Sequence, residues 1–221
     1  MKRVSRRQTL AGIASVGVVG CEARTKPAAP IAKRGGSETD LVEIVSLDPT
    51  IRLDLRYATT NNFTGRILYN QARAFLQKDA ATALVRAHRR AKADGYGLTL
   101  FDAYRPWAVT KQLWDATEPA KRQYVADPKT GSRHNRGCAV DLTLHRLSDG
   151  TVVEMPSAFD DFSERAHRNF SDASESAITN RARLARYMEA ERFEGRWDEW
   201  WHFDFDDWMR YPVRNVPIEA L

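Results

Sequence analysis

Ser132-Arg133-His134-Asn135-Arg136-Gly137-Cys138-Ala139-Val140-Asp141 and, farther along, Trp197-Asp198-Glu199-Trp200-Trp201-His202 are the stretches on which the fold of this chain turns. Cys138 to Leu144 alternates as a core strand, with Asp141 and Thr143 on one face and Val140, Leu142 and Leu144 on the other. Trp200 to Phe205 alternates in the same way and reads as a last strand. His134 and Asp141 are separated by an odd offset, which on one strand would put them on opposite faces. His134 is therefore expected in the loop leading into the strand, where Gly137 lets the backbone turn. The offset from Glu199 to His202 is odd as well, and Trp200-Trp201 between them favours a strand over a helix. Glu199 is expected in the turn before that strand, leaning over whatever His202 binds.

Two histidines and an aspartate are the ligand set of a catalytic zinc, three protein ligands with the fourth position open. A glutamate three residues before the second histidine stands where a general base would take a proton from water. The pattern differs from the helical His-Glu-x-x-His arrangement, in which the base neighbours its first histidine. His134, Asp141 and His202 are thus the candidate Zn2+ ligands, one ion per chain, and Glu199 the candidate base. His88 is expected on a helix face and His145 at the surface end of a strand, both outside the pattern.

Ser-x-His-x-x-x-Gly-x-Ala-x-Asp, then Glu-x-x-His, with Tyr104-Arg105-Pro106 upstream, resembles the zinc D-alanyl-D-alanine dipeptidases of the vancomycin-resistance type. Arg56-Tyr57-Ala58-Thr59 leading to Asn62-Phe63-Thr64-Gly65, and Phe159-Asp160 leading to Ser163-Glu164-Arg165-Ala166-His167, extend the match over about residues 42 to 213. The zinc pattern alone also admits D,D-carboxypeptidases and hedgehog-type domains; the Tyr-Ala-Thr and Ser-Glu-Arg segments narrow it to the dipeptidases. The resemblance implies that Arg105 supplies a planar donor fork to the oxyanion of the reaction. It further implies that Tyr57 and Asp160 receive the substrate's free ammonium and that Ser132 meets its carboxylate end. A carboxylate facing the ammonium would favour a dipeptide over a longer chain, whose extension leaves that charge without a partner. Cys138 departs from the family's small non-thiol residue and reads as a buried inert thiol, with thiolate ligation as the alternative. Met155-Pro156 stands where the family has Met-Gly, on the approach to Asp160.

Residues 1–20 read as an export signal: a basic start at Lys2, Arg3, Arg6 and Arg7, then an apolar run from Leu10 to Val19 too short to span a membrane. Ser5-Arg6-Arg7-Gln8-Thr9-Leu10 has the form of a twin-arginine signal, and Val18-Val19-Gly20-Cys21 that of a lipoprotein processing site with Cys21 acylated. The alternative is an ordinary secretory peptide with a chance cysteine. Residues 21–40, with Pro27, Pro30, Gly35 and Gly36, read as a flexible tether, and 41–221 as the catalytic domain. The expected address is the periplasm or cell envelope, with a membrane anchor through Cys21.

The formal charge of +5 belongs largely to that leader. Residues 41–221 hold 26 basic and 26 acidic side chains, so there is no electrostatic footprint for nucleic acid. With Cys21 acylated, Cys138 has no partner for an intrachain disulfide.

Around the two quoted stretches, Val42 to Leu55 suits a half-buried strand, and Asp79 to about Asp94 a helix capped by Asp79 and stopped by Gly95. Leu98 to Ala103 is a strand, Pro106 sits in the first turn of a helix carrying Val109, Leu113 and Trp114, and residues 118 to 131 form a loop. Ile178 to about Arg192 is helical. Strands and helices interleave irregularly, so the expected fold is α+β: one domain, an antiparallel sheet flanked by helices, with the zinc site on the sheet. The expected activity is hydrolysis of D-alanyl-D-alanine in peptidoglycan turnover. The alternatives are a D,D-carboxypeptidase trimming stem peptides and a zinc-stabilised binding module without turnover.

Overall fold

The computed structural model describes residues 41–221, so the export signal, Cys21 and the tether lie outside the described residues. The alternating segment from Cys138 forms the central strand β5 of a five-stranded sheet, and its partners can be taken in chain order. Leu41–Glu43 forms β1, Ile44–Leu47 a single helical turn α1, and Arg52–Leu53 β2. Phe75–Gln77 is β3, Lys78–Ala93 is α2, Tyr96–Asp102 is β4 and Trp107–Ala116 is α3. Ala139–Arg146 is β5, Glu175–Glu189 is α4, Phe193–Gly195 is β6 and His202–Phe205 is β7. The main sheet runs β2-β4-β5-β7-β6, while β1 and β3 pair separately. All neighbours in the main sheet are antiparallel except β2 and β4, which are parallel.

The α+β expectation holds, with local corrections. The segment expected as one strand from Val42 to Leu55 breaks into β1, a helical turn and β2, because Ile44 turns inward to full burial instead of continuing the alternation. Helix α2 begins under Gln77, which makes no side-chain cap, and Asp79 lies in the first turn, where its charge faces the positive helix end. Gly95, at φ 84, ends it as expected. Pro106 caps α3 instead of joining its first turn. Within the 118–131 loop, Pro119–Tyr124 winds as a 3-10 helix.

Alternation decides what β5 buries. Val140, Leu142 and Leu144 are fully buried in the main core with α2 residues Leu84, Val85 and Ala87 and α4 residues Leu184 and Met188. Burial of a large apolar side chain of this kind is worth about 1.5–3 kcal/mol. The opposite face of β5 carries Asp141, Thr143 and His145, all buried. A second, smaller core of Tyr57, Tyr69, Phe75, Tyr104, Val109 and Leu113 packs the loops after β2 against α3. His145, expected at the surface, is only 4 % exposed, because β5 runs on to Arg146 and a bridge to Val152 covers its end. No helix among the described residues is long and apolar enough to cross a membrane.

Candidate metal centre and active site

The sheet register brings the polar residues into one row. Asp102 of β4 pairs with Asp141 of β5, and Asp141 with His202 of β7. A register shift between Leu100 and Asp102 sets the end of β4 against the site, a common use of an irregular strand. His134 reaches the row from a 3-10 turn, His134–Arg136, that Gly137 closes at φ 68. A Cβ at Gly137 would come within 2.4 Å of the Leu41 side chain, so glycine is required there twice over. The backbone of Arg105 donates to the His134 carbonyl at 3.1 Å and the Asn135 amide donates to the Arg105 carbonyl at 2.8 Å, fixing that turn to the end of β4.

Three ligand atoms then converge. His134 Nε2 lies 3.2 Å from His202 Nδ1 and 3.3 Å from an Asp141 oxygen, and His202 Nδ1 lies 2.9 Å from the other. Four-coordinate zinc with ligands near 2.0 Å sets them about 3.3 Å apart. The second ring nitrogens identify the tautomers. His134 Nδ1 donates to the Ala103 carbonyl at 2.7 Å, and His202 Nε2 donates to Asp204 at 2.9 Å. With both rings neutral the two inward nitrogens are lone pairs, buried and opposed beside a carboxylate, an arrangement that calls for positive charge between them. A metal cation between them satisfies all three atoms, with Ala103 and Asp204 orienting the rings, and takes the place of the proton that His202 otherwise holds against Asp141. The donor set fits zinc.

Charge around the centre points the same way. Burial disfavours a charged His202, yet Asp204 and Asp141 push its pKa up to about 10, so the surroundings favour positive charge there. Burial raises Asp141, but His134 and His202 hold it well below the usual carboxylate range. Cys138 is buried in the main core, 3.6 Å from the Arg136 carbonyl, and does not belong to the ligand cluster; burial pushes its thiol up. The inert reading of that cysteine matches its placement.

Glu199, Arg105, Tyr57, Ser132 and Asp160 all line one cleft with the three ligands, enclosing about 420 Å³ of atom-free space including its mouth. Glu199 sits in the turn before β7, buried, with one oxygen 3.9 Å from His202 Nδ1. Burial raises its pKa, opposed by Arg196 and His202. Arg105 is buried, donating to Asp102 through Nε at 2.8 Å and placing a terminal nitrogen 3.6 Å from Asp141. The Tyr57 ring lies 5.0 Å beneath that guanidinium, and its hydroxyl donates to Asp160 at 3.1 Å. Asp160 holds a left-handed backbone at φ 59, which aspartate tolerates better than most residues and which such sites exploit. Burial, then Asp141, push its pKa up to about 8. Ser132 accepts from the His134 backbone at 3.2 Å and keeps its place on the cleft wall.

Three members went unread in the sequence. Asp102, fully buried, anchors Arg105 and accepts from Tyr69 at 2.8 Å; its position three residues before Arg105 was the available signal. Asp204, two residues after a ligand, holds His202. Arg196 lines the cleft beside Glu199.

Opposed imidazoles, a carboxylate and a second free carboxylate in one cleft define a metal-dependent hydrolase site. The family model described as D-ala-D-ala dipeptidase matches residues 37–217. A D-alanyl-D-alanine dipeptidase of Escherichia coli strain K12 is 39% identical over 175 residues, covering 79% of this chain and 89% of its own. One from Enterococcus faecium is 38% identical, covering 71% of this chain and 87% of its own. One from Streptomyces coelicolor is 33% identical, covering 79% and 98%. The chain belongs to the D-Ala-D-Ala dipeptidase family of peptidases.

Proposed function

We propose that this chain is a zinc peptidase that hydrolyses the free dipeptide D-alanyl-D-alanine, and that it works in the cell envelope in peptidoglycan turnover. The convergence of His134 Nε2, His202 Nδ1 and the Asp141 carboxylate, in a cleft that also holds Glu199 and Arg105, carries this reading. His134, Asp141 and His202 would hold one zinc ion, which when bound acts as a Lewis acid and lowers the pKa of water to about 7. Glu199 accepts the proton of the attacking water and returns it to the leaving amino group. Arg105, fixed by Asp102, offers positive charge to the carbonyl oxygen as it becomes an oxyanion. Its rigidity matters, since a donor already in place costs no reorganisation at the moment of reaction.

Asp160 and Tyr57 close the amino-terminal side. A substrate ammonium placed there relieves the crowding of Asp160 by Asp141 and Glu199 that helps burial hold its pKa high. Ser132 faces the carboxylate end. The envelope location rests on the twin-arginine and Cys21 patterns in residues 1–40.

The test is release of free alanine from D-Ala-D-Ala, L-Ala-L-Ala, N-acetyl-D-Ala-D-Ala and a stem pentapeptide by zinc-loaded protein. Free D-Ala-D-Ala should be cleaved at least about 10²-fold better than the acetylated compound, since acetylation removes the ammonium that Asp160 and Tyr57 are placed to receive and adds bulk where the cleft is closed. Equal cleavage of the pentapeptide overturns the dipeptidase reading in favour of a carboxypeptidase. No cleavage of any of the four overturns the peptidase assignment itself.

A further inference from the structure

Glu199 is poorly held for a base. Its carboxylate is buried, it shares the cleft with the carboxylates of Asp141 and Asp160, and no donor among the described residues lies within hydrogen-bond distance of it. Two cationic or potentially cationic groups approach it: His202 at 3.9 Å, which serves the metal cluster, and Arg196 Nε at 3.6 Å. A buried carboxylate that shares its cleft with two others and has no donor of its own rotates away from them unless a fixed positive charge holds it.

Arg196 is built to supply that charge. Its Nε and one terminal nitrogen grip the two oxygens of Asp198 at 2.9 and 2.6 Å, a two-point clamp that fixes the plane of the guanidinium. Its backbone donates to the His202 carbonyl at 3.2 Å, so Arg196 is tied across the β6–β7 hairpin to a metal ligand. The spacing Arg196-x-x-Glu199-x-x-His202 places clamp, base and ligand on successive steps of the same short connection.

We propose that Arg196, braced by Asp198, is the positioning residue of the general base: it holds the Glu199 carboxylate turned into the cleft toward the His134–Asp141–His202 cluster. Arg196 acts through Glu199 and does not touch the reacting atoms. The inference rests on the peptidase reading above and adds to it the device that makes Glu199 usable.

The experiment is a double-mutant cycle on kcat and KM for D-Ala-D-Ala with the full zinc-loaded protein. Arg196→Ala should lower kcat by about 10-fold or more and leave KM within about 3-fold, with zinc content unchanged. Arg196→Lys, which keeps charge and loses the fork, should recover part of that loss. In the Glu199→Gln background the same Arg196→Ala change should cost less than about 2-fold, because the group it serves is gone. A wild-type protein inert toward the dipeptide defeats the peptidase reading and this inference with it. An active wild type defeats the inference alone in either of two ways. One is a raised KM with unchanged kcat in Arg196→Ala, which makes Arg196 a receptor for the substrate carboxylate; the other is a cost as large in the Glu199→Gln background as in the wild type. Should Arg196→Ala fold poorly, Asp198→Asn supplies the same cycle, since it leaves the charge and removes its brace; full additivity with Glu199→Gln overturns the inference there too.

Discussion

The antiparallel ladder of β4 and β5 has a buried pair of histidines near each end, and the two pairs behave in opposite ways. At the Asp102–Asp141 end, His134 and His202 turn their inner nitrogens toward one another beside a carboxylate. Near the Gly97–His145 end, His88 accepts from the Leu98 backbone at 3.1 Å and donates to Thr50 at 2.9 Å, while His145 meets the Thr99 hydroxyl at 2.9 Å. No acceptor is left facing another acceptor there. The closeness of His145 is itself structural: a Cβ on Gly97 would strike its ring at 2.4 Å. Burial of a histidine therefore says nothing about function until both ring nitrogens are accounted for. At the far end His88 finds a neutral partner for each of its nitrogens; at the site His202 faces a carboxylate from each of its own, so the site favours positive charge and the far end does not.

The largest effects expected from that contrast concern the metal. His134→Ala, Asp141→Ala and His202→Ala should each lose zinc and at least about 10³-fold in turnover, because a Lewis acid contributes several kcal/mol and each ~1.36 kcal/mol is tenfold. Elemental analysis of the purified proteins checks it. His145→Gln, at the other end, should retain its metal. Full metal content in the three ligand variants, or loss of metal from His145→Gln, would erase the distinction between the ends.

Next in size is Glu199→Gln. The amide keeps the shape, leaves the three ligands intact and cannot accept a proton, so zinc should stay while kcat falls about 10²-fold or more. Asp160→Ala sharpens the picture on the substrate side: it should harm free D-Ala-D-Ala more than the N-acetyl compound and so narrow the gap between them. Initial rates on both compounds decide it, and an unchanged ratio removes Asp160 and Tyr57 from the ammonium site.

What could be read without the structure follows from the range over which each constraint acts. The convergence of His134, Asp141 and His202, the turn at Gly137 and the place of Glu199 ahead of β7 were legible because strand parity is a local rule and the residue types are chemically specific. His145 was misplaced because its burial depends on the bridge to Val152, a contact no periodicity announces. The three-residue strands β3 and β6 are too short to show an alternation, and β1 and β2 were merged because Ile44 interrupts them with one helical turn. Asp102, Arg196 and Asp204 act through other side chains, and a supporting role carries no signature until the supported group has a position.

An effect on stability alone, with none on turnover, is a pH dependence that separates the ends by sign, measured on metal-free protein so that metal release is not mixed in. Burial pushes the His88 pKa from 6.5 down to about 4, against the pull of Asp48. Between those values the unfolded chain binds a proton at this position that the folded protein refuses. The stabilising contribution of neutral His88 is thus complete above pH 6.5 and is lost as pH falls through about 4. The slope is at most about 1.4 kcal/mol per pH unit, giving about 3 kcal/mol across the window. His202 has the reverse sign in metal-free protein: with its pKa pushed up to about 10, its contribution is present below pH 6.5 and lost as pH rises through 10. Urea denaturation of wild type and His88→Gln at a series of pH values should therefore give a stability difference that shrinks from about pH 7 to about pH 4 and is flat from about pH 7 to about pH 9. A difference that stays constant on the acid side would mean that His88 titrates normally in the folded protein, and the far end of the ladder would then be no more neutral than the site.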